Sequence, residues 1–262
     1  MPGSGQLNNN TEKLLLKNGN LTMDRLDDAA TRVLTALYRV GAMDRPFPDP
    51  VANLTANVTT EISAQAARAV AEESAVLLKN TNNLLPLKTD TSVLVAGSFN
   101  PAFGGWGSGS VAPSWSESID EALGARMTQP SSRGPPRLNN ADISDPKTLA
   151  AIKAADVIVV IMETASGEGA DRQNASFDAG CPHNWCPQRQ NELVENITKV
   201  AGAGDKTVVI GMTTGTVILP WHADVAAIVM NWMPGQYYAA PLADLLYGDA
   251  TFSGKLPVTI PK

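Results

Sequence analysis

Cysteine and histidine are scarce in this chain, with two of each among 262 residues. That scarcity speaks against a structural zinc site, because Cys181, Cys186, His183 and His222 are the whole supply of such ligands and include no second Cys pair. Excess positive charge is also missing. The net charge is -6, with no stripe of Lys and Arg, which speaks against nucleic acid and anionic membrane surfaces as partners. No uninterrupted apolar run approaches the roughly 20 residues that span a bilayer, and the polar stretch Met1 to Asn10 holds no signal-peptide core. What remains is 44% apolar and 18% charged residues, the balance of a globular protein with ample core.

Two features point to a secretory history. Asn-x-Ser/Thr sequons stand at Asn9, Asn20, Asn53, Asn57, Asn174 and Asn196, more than chance places among so many Asn and Thr. Cys181 and Cys186 frame Cys-Pro-His-Asn-Trp-Cys, a spacing compatible with a small disulfide loop in an oxidising compartment.

Apolar residues recur at three- and four-residue steps from Met23 to Gly41, predicting a helix. The three prolines of Asp44-Arg-Pro-Phe-Pro-Asp-Pro50 then read as an extended linker, with a domain boundary near 44–58. Beyond it, helical and short apolar segments alternate. A helix is expected from Thr60 to about Leu78 and a strand at Ser92 to Ala96. Further helix-strand pairs follow at Lys147 to Ala155 with Val157 to Met162, and at Gln188 to Ala201 with Thr207 to Gly211. A strand at Ala226 to Met230 precedes a last helix, Tyr237 to Tyr247. This alternation predicts an α/β fold, a doubly wound and mostly parallel sheet flanked by helices. Residues 129–145, rich in Pro, Ser and Asn, read as a surface loop.

Two glycine-framed loops follow predicted strands. Gly104-Gly-Trp-Gly-Ser-Gly109 formally approaches a dinucleotide fingerprint, but Val111-Ala-Pro113 continues as extended chain where a fingerprint would open a helix. Simple turn geometry competes with a ligand loop in which Trp106 offers a sugar ring an apolar plane and Ser108 a hydroxyl. Ser166-Gly-Glu-Gly-Ala-Asp-Arg172 follows the strand ending at Met162 and sets Glu168 where open α/β sheets bind ligands, a candidate proton donor. The bland alternative is a solvated loop carboxylate beside a surface Asp171–Arg172 ion pair. Glu163 competes as the acid but lacks glycine flanks; Asp244 and Asp249 read as capping or solvating the last helix, and Trp232 as lining the crevice or packing the core.

Taken together these pieces resemble the C-terminal part of family 3 glycoside hydrolases, the β-glucosidases and β-xylosidases. In family order they are Ala69 to Asn80 with Leu84-Leu-Pro-Leu87, Gly105-Trp-Gly-Ser-Gly109, Ser166 to Arg172, Gly215 to Trp221, Pro234 to Asp249, and Ser253 to Pro261. The resemblance implies a barrel-end remnant, helix and linker over 1–58, and an α/β sandwich domain over 59–262. It also implies that the nucleophile-bearing TIM-type barrel lies outside this chain and acts in cis. Glu168 is similar to the family acid/base. Tyr237 departs from the family, many members of which carry Glu there, and the loop after Gly169 is shorter than in many fungal enzymes.

The expected function is therefore the acid/base side of a secreted, retaining β-glucosidase-like hydrolase acting on β-linked glucosides, with no metal or organic cofactor. Two rivals stand beside it. One is a non-catalytic carbohydrate-binding or assembly module, and the other, resting on the Gly-rich loop alone, is a nucleotide-binding α/β protein.

Overall fold

The structure is a computed structural model and describes residues 8–46, 57–98, 107, 113, 115–128, 134–138, 142–164, 166–169, 171–179 and 189–261. The chain divides into two compact units, Met1–Val58 and Thr59–Lys262. In the first, α1 (Asn9–Lys17) starts at Asn8, whose side chain accepts from the amides of Asn10 and Thr11, and α2 (Met23–Arg39) starts at Thr22 in the same manner. These side-chain oxygens satisfy amides that have no partner inside the helix. Neither helix buries a residue, so the apolar stripe of α2 lies uncovered.

The second unit is built on a six-stranded sheet of order β1-β6-β5-β4-β2-β3. Its elements are α3 (Glu61–Ser74), β1 (Val76–Asn80), β2 (Val93–Gly97), α4 (Ile119–Gly124), β3 (Arg137–Leu138), α5 (Pro146–Ala154) and β4 (Val157–Glu163). They continue with α6 (Gln190–Thr198), β5 (Thr207–Met212), β6 (Ala227–Met230) and α7 (Ala240–Tyr247). Strands β3, β2, β4, β5 and β6 run parallel, and β1 pairs antiparallel with β6.

The sheet is buried on both faces because successive strand residues point to opposite sides and both sides are apolar. Leu94, Ile158, Val160 and Val209 pack against Ile152 of α5 and Val194 and Ile197 of α6. Val95, Val159, Ile161 and Ile210 pack against Ile119 and Leu123 of α4 and Leu242 and Leu246 of α7. Helices thus cover both faces, the doubly wound arrangement that the alternation of segments predicts. Each large side chain fully withdrawn from water contributes about 1.5–3 kcal/mol, so these two layers supply the main driving force for the unit.

Two segments depart from the sequence reading. The helix expected to reach Leu78 ends at Ser74; Ala75 is extended and Val76–Asn80 forms an edge strand, with Val76 opposite Met230. Val76-Leu-Leu continues a helical period as well as it fills a strand, and pairing with β6 decides the outcome. Within the segment read as a surface loop, β3 adds to β2, and Arg137 Nε donates to the buried Asp120 at 2.7 Å. Asp244 does not cap its helix in water. It is buried and takes ion pairs from both Arg68 and Arg126, tying α7 to α3 and to the segment after α4.

Candidate active site

The chain leaves the neighbouring parallel strands β2 and β4 in opposite directions. After β2 it reaches α4 on one face, and after β4 it reaches α6 on the other. Loops that diverge in this way open a crevice at the carboxyl ends of the two strands, the place where doubly wound sheets take their ligands. Both glycine-framed loops start there.

The root of the crevice is a set of side chains that end the strands. Ser98 N donates to Ile161 O at 2.9 Å, and Ser98 Oγ donates to Glu163 Oε1 at 2.6 Å. The amide of Gln190, at the start of α6, closes on the same strand end: Glu163 N donates to Gln190 Oε1 at 2.7 Å and Gln190 Nε2 donates to Glu163 O at 2.8 Å. Glu163 is buried in this arrangement, so it is not the solvent-facing acid that its place at the strand end allowed.

Past Glu163 the chain steps onto hydroxyl groups from the loop after β5. Thr164 Oγ1 donates to Thr213 Oγ1 at 3.0 Å and accepts from Thr214 N at 3.2 Å, while Ser166 Oγ donates to Thr214 Oγ1 at 2.9 Å. On the far side of the loop, Arg172 Nη2 donates to Thr216 O at 2.9 Å. The Asp171–Arg172 ion pair of the alternative reading does not form. Burial pushes the Arg172 guanidinium below its ordinary range, and its Nη1 is buried with no hydrogen-bond partner among the described residues. The sequence reading missed Thr213, Thr214 and Thr216, although three threonines around a glycine directly after a buried strand were a usable signal.

Glu168 is exposed at the tip of this clamped loop. Gly107, from the loop after β2, lies directly against it: a Cβ built on Gly107 would stand 2.6 Å from Glu168 Cβ and 2.9 Å from its Oε2. Gly107 also has φ of +77°, which side chains disfavour, so both the backbone shape and the close approach require glycine. The two glycine-framed loops, 61 residues apart in number (168 − 107), therefore meet at one point of the crevice. Trp106, Ser108, Cys181 and Cys186 lie outside the described residues, as does Asn53.

Residues 75–262 match the model of the glycosyl hydrolase family 3 C-terminal domain. The chain belongs to this family. Probable beta-glucosidase L of Aspergillus terreus is 33% identical over 100% of this chain and 38% of its own length, and the protein of the same name from Aspergillus fumigatus is 34% identical with the same coverage. Among solved structures, a beta-D-glucoside glucohydrolase from Trichoderma reesei superposes with a TM-score of 0.75 at 26% identity, covering 98% of this chain and 38% of that one. Beta-glucosidase D2-BGL from Chaetomella raphigera gives 0.77 at 27% identity, over 99% and 40%. The chain thus spans about two fifths of the length of these relatives.

The other aspartates and aromatics of this family 3 domain take structural places. Asp249 receives Arg126 Nε at 3.3 Å. Met230 is fully buried, and the Trp232 indole donates to Ser74 O at 3.1 Å rather than standing free over the crevice. No group of three or more His, Cys, Asp or Glu side chains that could hold a metal ion occurs among the described residues, and no described helix is long and apolar enough to cross a membrane.

Proposed function

We propose that this domain provides the general acid/base of a secreted, retaining β-glucosidase-type hydrolase that removes terminal β-D-glucosyl residues from glucosides or short β-glucans. One observation carries the reading: the exposed Glu168 sits at the β2/β4 crevice with Gly107 pressed against it. In the first step Glu168, as the acid, gives its proton to the glycosidic oxygen while that oxygen leaves the anomeric carbon. A second carboxylate attacks the same carbon from the opposite face. In the second step the Glu168 carboxylate takes a proton from water, which displaces the enzyme carboxylate and releases glucose. Retention requires the two carboxyl groups to lie about 5–5.5 Å apart. On this reading the second belongs to a barrel domain joined in cis, as the coverage of the relatives supports. Protonation and carboxylate attack need no metal or organic cofactor.

The test is a protein in which a matching barrel precedes this domain. Glu168→Ala should lower turnover of a poor-leaving-group glucoside by roughly 10²–10⁴-fold while largely sparing an activated aryl glucoside. Equal losses on both substrates would remove the proton-donor assignment.

A second reading, a carbohydrate-binding or assembly module without turnover, is favoured by the burial of Glu163 against Ser98, which keeps that carboxylate out of the crevice. Calorimetry with cellobiose alongside a turnover assay, both on the protein in which a matching barrel precedes this domain, separates the two. Heat of binding without glucose release favours the module.

A further inference from the structure

The acid loop runs on into the sequon Asn174-Ala175-Ser176, which the hydrolytic reading leaves unused. A folded glycoprotein must leave the asparagine amide nitrogen clear of its own hydrogen bonds and give the first sugar room at the surface. Asn174 meets both conditions. It is exposed, its Oδ1 accepts from Ser176 N at 2.8 Å in a local turn, and its Nδ2 donates to no described residue. Ser176 is held from the other side, its Oγ accepting from Asp178 N and from Asn191 Nδ2, each at 3.0 Å. The sequon is therefore held in a local turn that leaves the amide nitrogen without a hydrogen bond to any described residue.

Asn196, the other described sequon within residues 75–262, is placed differently. It is half-buried on α6, its Oδ1 receives Lys199 Nζ at 3.0 Å, and the Thr198 hydroxyl donates back to Glu195 O at 3.0 Å. A glycan there would lie against helix surface and compete with these bonds. At Asn174 the surface is concave instead. Asn174, Ala175, Ser166, Asp171, Thr214 and Thr216 line an open depression beside the Glu168 loop. Its hydroxyl, amide and carboxylate groups suit the hydroxyls and acetamido group of a first N-acetylglucosamine.

We infer that Asn174 is the N-glycosylated asparagine of this part of the chain, and that its first sugar lies in this depression on the rim of the acid loop. The donor is a polyprenyl-pyrophosphate-linked oligosaccharide. The N–C1 bond forms from Asn174 Nδ2, the C1–O bond to pyrophosphate breaks, and Nδ2 gives up one proton. The inference shares with the proposed function only the secretory route, so its outcome is independent of what Glu168 does.

The full chain, secreted from yeast behind a leader and carrying an added exposed sequon tag, is digested and its glycopeptides are quantified by mass spectrometry. With the tag modified, Asn174 should be occupied at roughly tenfold the level of Asn196, Ser176→Thr should keep that glycan, and Asn174→Gln should remove it. Amide exchange in 171–176 and 214–218 should be roughly threefold faster in the same chain made without glycosylation in bacteria than in the glycosylated chain, because the sugar shields the depression. A modified tag with Asn174 bare, or Asn196 occupied as fully as Asn174, would overturn the site. Unchanged exchange would overturn the placement of the sugar.

Discussion

Replacing Asp244 by asparagine should destabilise the second unit. The Asp244 side chain is 9% exposed, with Arg68 on one carboxylate oxygen and Arg126 on the other. Asparagine keeps the volume and removes the charge, leaving two guanidinium groups facing a neutral amide. Removing one partner of a buried pair costs about 3–5 kcal/mol. Two features lower that figure here. Arg68 is 38% exposed and keeps Glu72 at 3.2 Å, and Arg126, 21% exposed, keeps Asp249 at 3.3 Å and the Ala122 carbonyl at 3.3 Å. The expected loss is therefore about 2–3 kcal/mol, a large share of the roughly 5–15 kcal/mol that holds a domain folded. For a unit of this size each kcal/mol moves Tm by roughly 2–4 °C, so the variant should melt roughly 4–12 °C earlier. Urea unfolding should show a lower midpoint with an unchanged slope. A loss under about 0.5 kcal/mol would mean that water already screens these charges and that the link between α3, α4 and α7 is apolar only.

Three further changes test other parts of the structure. Gly107→Ala and Gly169→Ala both place a side chain at positive φ, +77° and +73°, but only the first meets Glu168, since a Cβ on Gly169 finds nothing within 4 Å. Urea unfolding should show Gly107→Ala costing about 1 kcal/mol more than Gly169→Ala, and equal costs would separate the two loops. The Tyr247 hydroxyl is buried without a hydrogen-bond partner among the described residues, so Tyr247→Phe should raise stability by about 1 kcal/mol in the same assay. The Ser118 amide and hydroxyl hold the Glu121 carboxyl below its ordinary value of 4.5. A folded-state value below the unfolded one adds stability above that pH and loses it as pH falls through the folded value. Calorimetric Tm should therefore drop more steeply below about pH 4.5 in the wild type than in Ser118→Ala, which also loses its helix cap at all pH values.

The parallel core was legible because Val157 to Met162, Thr207 to Gly211 and Ala226 to Met230 are short apolar runs between helical segments, and a strand buried on both faces must read that way. The edge of the sheet was not. Val76-Leu-Leu sits directly after a helical pattern, and only its antiparallel partner Met230-Val229 makes it a strand. Glu168 was legible as a candidate from its glycine frame and its place after a strand. Its meeting with Gly107 was not, since nothing local in either loop encodes the order of strands that brings β2 beside β4. The role of Asp244 was hidden for the same reason: Arg68 and Arg126 are 176 and 118 residues away in number (244 − 68 and 244 − 126), and an aspartate in a helix reads as solvated until both arrive.

Glu163 and Glu168 are five residues apart in number (168 − 163), and the difference between them explains why the proposed proton chemistry is assigned to a loop. Glu163 still belongs to the ladder of β4, in register with Met212, and a strand covered on both faces can only send its side chains into packed protein. Its carboxyl is accordingly committed to the Ser98 hydroxyl. The last ladder-like bond runs from Thr164 N to Met212 O at 2.8 Å. Past it the backbone makes only an isolated β-bridge at Gly167, and Glu168 reaches solvent. A free loop alone would place a carboxylate loosely, and a proton donor must hold its oxygen within hydrogen-bond reach of the leaving group. Ser166 on Thr214 and Arg172 on Thr216 clamp the loop on both sides of Glu168, and Gly107 limits its travel from above. The sheet thus fixes where the crevice opens, and the hydroxyl clamps fix how far Glu168 can move within it.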